Sequence, residues 1–127
     1  VKVKRLFANT LEMNKLRTSV ISSAESYMKC AIAVADFNSK DIRVISAQGS
    51  DELLKVNNIK ASFVMFENAG AVNISARSFG DINVQIIMES LGGGGHQTMA
   101  ACQLKGYDMK KARTALEEAI KEFFDKN

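Results

Sequence analysis

Two runs of strand-forming residues joined by a short turn constrain the fold of this chain more than any other feature. The runs are ASFVMFEN (Ala61–Asn68) and AVNISARS (Ala71–Ser78), with Ala-Gly between them. β-Branched and aromatic residues favour strands, and a two-residue connection that contains glycine favours a hairpin. Side chains alternate between the two faces of a strand, so Ser75 and Arg77 are expected on one face. The stretch predicts two adjacent antiparallel strands.

Helix-like and strand-like segments alternate along the rest of the chain. Apolar residues recur at three- and four-residue spacing in three predicted helices, at about residues 10–24, 81–91 and from 108 onward. Asp81 and Asp108 are the expected N-caps of the second and third of these helices. Apolar runs at residues 30–36 and 100–106 predict strands, whereas residues 41–56 are ambiguous, because a helical pattern there contains Gly49. This alternation predicts an α/β domain with helices packed on a mixed β-sheet.

Length and composition are typical of one globular domain. The chain has 127 residues, 46% of them hydrophobic, and a net charge of +3, which is too small to argue for nucleic-acid binding by itself. Its apolar runs are all much shorter than the ~20 residues of a membrane span. Cys30 and Cys102 lie far apart in apolar runs, so buried free thiols are expected, with a disulfide as the alternative. A reducing compartment, the cytoplasm, is the corresponding expectation.

Four consecutive glycines stand before the single histidine of the chain, in MESLGGGGHQTMAACQL (Met88–Leu104). A P-loop requires Gly-Lys followed by Ser or Thr, and His96 stands where that lysine would be. The dinucleotide fingerprint requires glycines that open a helix after a strand, whereas these glycines follow a predicted helix. A single glycine there would be a C-cap, which accounts for Gly92 or Gly93 but not for all four.

The glycine run is better suited to holding an anion through the loop than through the preceding helix. A helix C-terminus carries the negative end of the dipole, so phosphate would need N–H groups of the loop arranged as a nest. His96 could add one donor and Arg77 a planar fork. The chain shows no pattern of clustered carboxylates and histidines for a metal or a catalytic base. These residues predict a phosphate- or nucleotide-binding module rather than a complete enzyme.

The segment SARSFGDINV, followed by GGGGH between a helix and a strand, resembles the DHH-associated domain of the DHH-family phosphoesterases. The resemblance covers roughly Ala24 to Phe124. Within the family, the pattern from Arg77 to Leu104 is most similar to membrane-anchored cyclic-di-AMP phosphodiesterases of Gram-positive bacteria. It implies that this domain grips the nucleotide, while a separate DHH domain binds two manganese ions. The site residues that it implies are Arg77, Ser78, Gly92, Gly93, Gly94, Gly95 and His96.

The resemblance also implies how the chain is organised and with what it associates. Because the sequence begins with Val1 and not with methionine, we expect it to be a piece cut from a longer protein. Residues 1–24 would be a connector helix from an upstream DHH domain, and residues 25–127 the DHH-associated domain. The expected partners are that upstream domain and a nucleotide, cyclic-di-AMP or a short oligonucleotide, without direct membrane contact; homodimer formation stays open. The fragment alone is expected to be inactive. Within its membrane-anchored parent it is expected to belong to the cytoplasmic part. The alternatives are an oligoribonuclease or phosphoadenosine phosphatase module and a non-catalytic nucleotide-binding or interaction domain.

Overall fold

A computed structural model describes residues 10–126 as a six-stranded sheet with four helices. The helices are α1 (Leu11–Ser22), α2 (Ile42–Leu53), α3 (Val84–Ser90) and α4 (Met109–Lys126). The strands are β1 (Glu25–Tyr27), β2 (Cys30–Ala35), β3 (Ala61–Asn68), β4 (Ala71–Ser78), β5 (Gly94–Gly95) and β6 (Met99–Lys105). The predicted α/β class with a mixed sheet is confirmed.

The sheet has the order β1-β2-β3-β4-β6-β5. Strands β2 and β3 are parallel and connected through α2, whereas every other neighbouring pair is antiparallel. The hairpin predicted at Ala69-Gly70 joins β3 and β4, with Asn68 opposite Ala71. The glycine run provides β5, a two-residue edge strand that the sequence pattern did not predict, and β1 is a second short edge strand.

The two faces of the sheet are covered to different extents. Helices α3 and α4 cover one face along its length, and most inward side chains of β4 and β6 there are apolar: Val72, Ile74, Ala76, Ala100, Cys102 and Leu104. On the opposite face, α1 and α2 pack on β2 and β3 through a second apolar cluster that includes Val20, Ile45 and Val64. This second cluster does not extend over β4 and β6, so their outer face lies open beside α2.

Several local expectations are confirmed, and one is wrong. Residues 41–56 contain a helix, and Gly49 lies where a Cβ atom would come within 3.0 Å of the Val20 side chain, so its small size allows α1 and α2 to approach. Asp108 accepts a hydrogen bond from the Lys111 N–H at 2.7 Å, as expected of an N-cap. The helix predicted from Asp81 begins instead after Asn83, whose side chain caps it.

Asp81 has a different role from the one expected. Its carboxylate is exposed and lies 3.6 Å from the ammonium group of Lys60. Asn83 accepts from the N–H groups of Gln85 and Ile86, and asparagine is as good an N-cap as aspartate. Both residue types precede the apolar stripe, and the sequence pattern alone does not choose between two caps that are two residues apart.

Candidate functional site

Most of the residues singled out in the sequence lie on or beside one face of β4 and β6. We call this face, formed by Asn73, Ser75 and Arg77 of β4 and Met99, Ala101 and Gln103 of β6, the open face. Each side chain pairs with one directly opposite: Arg77 with Met99, Ser75 with Ala101, and Asn73 with Gln103. Helix α2 borders the open face on the β4 side, and β5 borders it on the β6 side.

The structure brings Arg77 and His96 into one transverse row. Met99 pairs with Arg77 on one side and exchanges two backbone hydrogen bonds with His96 on the other, at 2.6 and 3.3 Å. Opposite residues in an antiparallel sheet have side chains on the same face, and two such steps span about 10 Å between Cα atoms. His96 and Met99 are both exposed. A cation and an imidazole thus stand at the two ends of a row that a ligand could cross.

Three of the four glycines are required by the fold itself. Gly92 has φ +85° and ends α3, where its N–H and that of Gly93 bond to the carbonyls of Glu89 and Met88 in a Schellman arrangement. A Cβ atom at Gly93 would lie 2.1 Å from the Ala101 carbonyl oxygen, and one at Gly95 2.5 Å from the Ala100 Cα. Side chains at these positions would displace β6, so these glycines are structural.

Gly94 is the exception in the run. A Cβ atom built on it has no neighbour within 4 Å, and its φ is not in the left-handed region. Gly94 pairs with Ala101, which pairs with Ser75, so these three residues form a row of small side chains beside the row of Arg77 and His96. The fold therefore supplies no reason for glycine at position 94, and a ligand that needs this space would supply one.

The predicted nest of loop N–H groups does not form, because most of these groups have partners within the fold. The N–H groups of Gly92 and Gly93 cap α3, and that of His96 bonds to Met99. Hydrogen-bonded and non-hydrogen-bonded pairs alternate along an antiparallel ladder, and His96 with Met99 is a hydrogen-bonded pair. Gly94 with Ala101 is therefore hydrogen-bonded, whereas Gly95 is in a non-hydrogen-bonded position between these two pairs. The Gly95 N–H is thus the one that points to the free edge of the sheet.

Ser78 does not lie with Arg77 and His96 on the open face. It is buried, with its hydroxyl donating to the Ile82 carbonyl at 2.7 Å and lying 3.2 Å from the Gln97 carbonyl. The same hydroxyl accepts from the Gly80 N–H. Gln97 belongs to the turn that carries His96, so Ser78 ties that turn to the end of β4. Its position supports the site from behind and leaves no hydroxyl pointing toward a ligand.

Arg77 is held by a carboxylate on α2. Its Nε lies 3.2 Å from Asp51 Oδ1, and the Arg77 side chain is only 15% exposed. A planar guanidinium bonded through Nε keeps a fixed plane, which reduces the entropy lost when the remaining N–H groups bind an anion. Asp51 itself is well exposed, so its charge is screened by water and offsets the arginine charge only in part.

The open face continues away from Arg77 into a groove of about 650 Å³. Its floor is Ser75 and Ala101, and Gly92 and Gly93 close it on the β5 side. On the α2 side, Arg43 lies over the ring of Phe66, 5.6 Å from the centroid. Lys105 stands at the far end. A volume of this size falls within the range of small-molecule sites.

Sequence reasoning missed the residues that line this groove beyond Ser75. Arg43 lies in the segment that was ambiguous between helix and loop, so its side could not be assigned. Asn73 and Gln103 had a usable signal: each stands on the same strand face as Arg77 and Met99, at even spacing. Their polar side chains share the face of Ser75 and Arg77, whereas the opposite face of β4 and β6 is largely apolar. This alternation marks a face that is not packed against a helix.

Metal ligation and membrane insertion both lack support within residues 10–126. In this part of the chain, no group of three or more His, Cys, Asp or Glu side chains is placed to hold a metal ion. The helices there include none that is long and apolar enough to span a bilayer. Cys30 and Cys102 are buried and free, which confirms that they are not joined in a disulfide, and burial raises the pKa of each thiol to about 12.

Two proteins with similar sequences carry the name of a cyclic-di-AMP phosphodiesterase. The chain is 49% identical over 96 residues to "Cyclic-di-AMP phosphodiesterase GdpP" of Geobacillus thermodenitrificans, which covers 75% of this chain and 15% of that protein. It is 40% identical over 129 residues to the protein of the same name from Bacillus subtilis, covering 98% of this chain and 20% of that one. The chain thus spans a fifth or less of these relatives' length.

A solved structure and a family model agree on the fold. The structure of an exopolyphosphatase-related protein from Bacteroides fragilis superposes with a TM-score of 0.80 at 18% identity, over 96% of this chain and 38% of that chain. At this identity the likeness concerns the fold alone. The model of the DHHA1 domain matches residues 27–124, which is most of the chain. This chain belongs to the DHHA1 domain family.

Proposed function

We propose that this chain is the substrate-binding half of a DHH-family phosphodiesterase that hydrolyses cyclic-di-AMP to the linear dinucleotide pApA. Arg77 and His96 bind phosphate from the two ends of their row, and the row of Ser75, Ala101 and Gly94 leaves room for the nucleotide beside it. The observation that carries this proposal is the vacant space at Gly94, next to a held arginine. The relatives' names supply the substrate.

The remaining residues of the predicted site support these contacts from behind. Gly92, Gly93 and Gly95 let β5 lie close against β6, and Ser78 fixes the turn that carries His96. The Gly95 N–H on the free edge is the one backbone donor of the run that remains for a ligand. Through this N–H, Gly95 joins Arg77, Gly94 and His96 as a proposed contact residue in addition to its structural role.

We also propose that metal chemistry belongs to an upstream DHH domain, where manganese would be bound. The residues described here do not fit a metal site, so this half neutralises phosphate charge and orients the scissile bond. Residues 1–24 would connect the two domains. The first nine lie outside the described residues, while α1 packs on the domain through Val20. The chain alone is then expected to hydrolyse nothing, even with added manganese.

Titration calorimetry with cyclic-di-AMP, pApA and AMP tests the proposed function. We expect Arg77→Ala and His96→Ala each to weaken binding of cyclic-di-AMP by roughly ten- to a hundredfold, because a hydrogen bond to a charged group is worth about 1.5–3 kcal/mol. Arg113→Ala is the matched control, since Arg113 pairs with Glu25 and Glu117 away from the open face. Its affinity should equal that of the wild type.

Titrations with further ligands and turnover assays separate the alternatives. Tighter binding of short linear oligonucleotides or of phosphoadenosine than of cyclic-di-AMP would favour the oligoribonuclease or phosphoadenosine phosphatase module. Binding without turnover when the upstream DHH domain is present in the same chain would favour a non-catalytic nucleotide-binding domain. Turnover by the 127-residue chain alone, lost in His96→Ala, would contradict the assignment of catalysis to the other domain.

A further inference from the structure

The groove beyond Gly94 contains an amide that is fixed in orientation and has unused hydrogen-bonding groups. Gln103 Nε2 donates to Asn73 Oδ1 at 3.0 Å, and Asn73 is 3% exposed. Asn73 in turn lies 3.4 Å from the Ala71 carbonyl through its own amide nitrogen. Within residues 10–126 the Gln103 side chain makes no other hydrogen bond, so its Oε1 and second N–H remain available. Gln103 itself is exposed along the groove.

The surroundings of Gln103 are suited to a flat base. Ser75 and Ala101, the next row toward Arg77, have side chains too short to stand in the way of a ring lying on the sheet. Arg43 is held over the Phe66 ring on the α2 wall, which leaves the outer surface of its guanidinium plane for stacking. Small residues below, a planar cation beside and an amide at the end are the elements of a base site.

The distances agree with one nucleotide lying along the open face. Arg77 and Asn73 are four residues apart on β4, or about 14 Å at the rise of an antiparallel strand. A phosphate at the row of Arg77 and His96 therefore leaves the small-residue row for the sugar and base. The base edge then arrives at the row of Asn73 and Gln103.

We propose that Gln103 reads the 6-amino group of an adenine base seated over Ser75 and Ala101. This proposal rests on the proposed function, because it takes phosphate binding at Arg77 and His96 as its starting point. The Oε1 of Gln103 accepts from the adenine amino group while its free N–H donates to the neighbouring ring nitrogen, the paired contact that glutamine makes to adenine. Asn73 acts as a positioning residue, since it holds the Gln103 amide from below.

The test compares two ligands that differ only at the group in question. Cyclic-di-AMP and the same cyclic dinucleotide carrying unsubstituted purine in place of adenine are titrated into the 127-residue chain and into Gln103→Ala. We expect the wild type to bind the adenine ligand about two- to tenfold more tightly, the worth of one neutral hydrogen bond. Gln103→Ala should bind both ligands equally, because the partner of the amino group is gone.

Control variants make the outcomes distinct. Gln85 is a half-buried glutamine on α3, away from the open face, and Gln85→Ala should keep the wild-type preference. Arg77→Ala should weaken the binding of both ligands by the same factor. If Gln103→Ala keeps the preference for adenine over purine, with or without an equal loss of affinity for both ligands, the base-reading role of Gln103 is overturned. The phosphate site is not affected by that result. If the wild type binds neither cyclic dinucleotide, the proposed function fails, and this subsite fails with it.

Discussion

Strands β4 and β6 have two unlike faces, although the residues on them alternate one by one. On the covered face, Ile74, Ala76, Ala100 and Cys102 are buried under α3 and α4. On the open face, Ser75 and Ala101 lie at the floor of a groove. The covered face stabilises the fold through apolar burial, whereas the open face carries polar and small side chains, several of them exposed. The candidate site thus lies on the part of the sheet that the helices leave uncovered.

Substitutions at neighbouring positions of β4 should separate the two faces most clearly. Ile74→Ala is expected to lower the free energy of unfolding by about 2–5 kcal/mol, because Ile74 is buried and the loss leaves a cavity. Ser75→Ala, one residue further along, should change it by less than about 0.5 kcal/mol. Chemical denaturation followed by circular dichroism measures both. Equal losses for the two variants would contradict the division into a structural face and a ligand-binding face.

Much of this fold could be predicted from the sequence, because its helices and long strands carry strong patterns. The hairpin of β3 and β4 and the apolar stripes of α3 and α4 follow from periodicity within one segment. The short strands β1 and β5 lack such a pattern, since two or three residues are too few to show alternation. The pairing of β5 with β6 depends on contacts between segments, and only the structure makes the glycine run an edge strand.

Part of the candidate site could be located from the sequence, but the surroundings of its residues and the groove beyond Ser75 could not. Arg77, Gly94 and His96 do come together, as their shared motif suggested. The letters GGGG do not distinguish a helix cap at Gly92 from close backbone approaches at Gly93 and Gly95 or from the open space at Gly94. Ser78 looks like a ligand contact next to Arg77, yet strand alternation points it to the opposite face. Those distinctions depend on what lies opposite each residue across the sheet.

The glycine run itself allows the comparison to be made within two adjacent residues. Gly93→Ala is expected to lower the free energy of unfolding by about 1–3 kcal/mol, because its Cβ would lie 2.1 Å from the Ala101 carbonyl oxygen. Gly94→Ala should leave stability unchanged or raise it by up to about 1 kcal/mol, since alanine reduces the freedom of the unfolded chain. Thermal and urea denaturation of both variants provide the measurement.

Gly94→Val extends this test from stability to binding. Its side chain would stand in the space beside the row of Arg77 and His96, so we expect weaker binding of cyclic-di-AMP with the fold retained. Gly94→Ala should show the same effect to a smaller degree. Loss of folding in Gly94→Val would instead mean that the backbone at this position needs glycine, and wild-type affinity would remove Gly94 from the site.

Thiol chemistry offers the most local test, because Cys102 and Ala101 are neighbours on opposite faces of β6. Burial raises the pKa of Cys102 to about 12, so at pH 8 its thiol should stay protonated and unreactive toward iodoacetamide in the native chain. A thiol introduced by Ala101→Cys would lie on the exposed floor of the groove, and we expect it to react with the reagent at a rate typical of an exposed cysteine. Mass spectrometry of the labelled peptides distinguishes the two sites. Labelling of native Cys102 as fast as the introduced thiol would show that the face covered by α3 and α4 opens readily, and the contrast between the two faces would not hold.

The raised pKa values of Cys30 and Cys102 also determine how stability changes with pH. The unfolded chain loses these thiol protons near pH 9, whereas the native chain keeps them. The stabilisation is therefore fully present below pH 9, and the free energy of unfolding should fall between pH 9 and 12, by about 1 kcal/mol per thiol near pH 9.5.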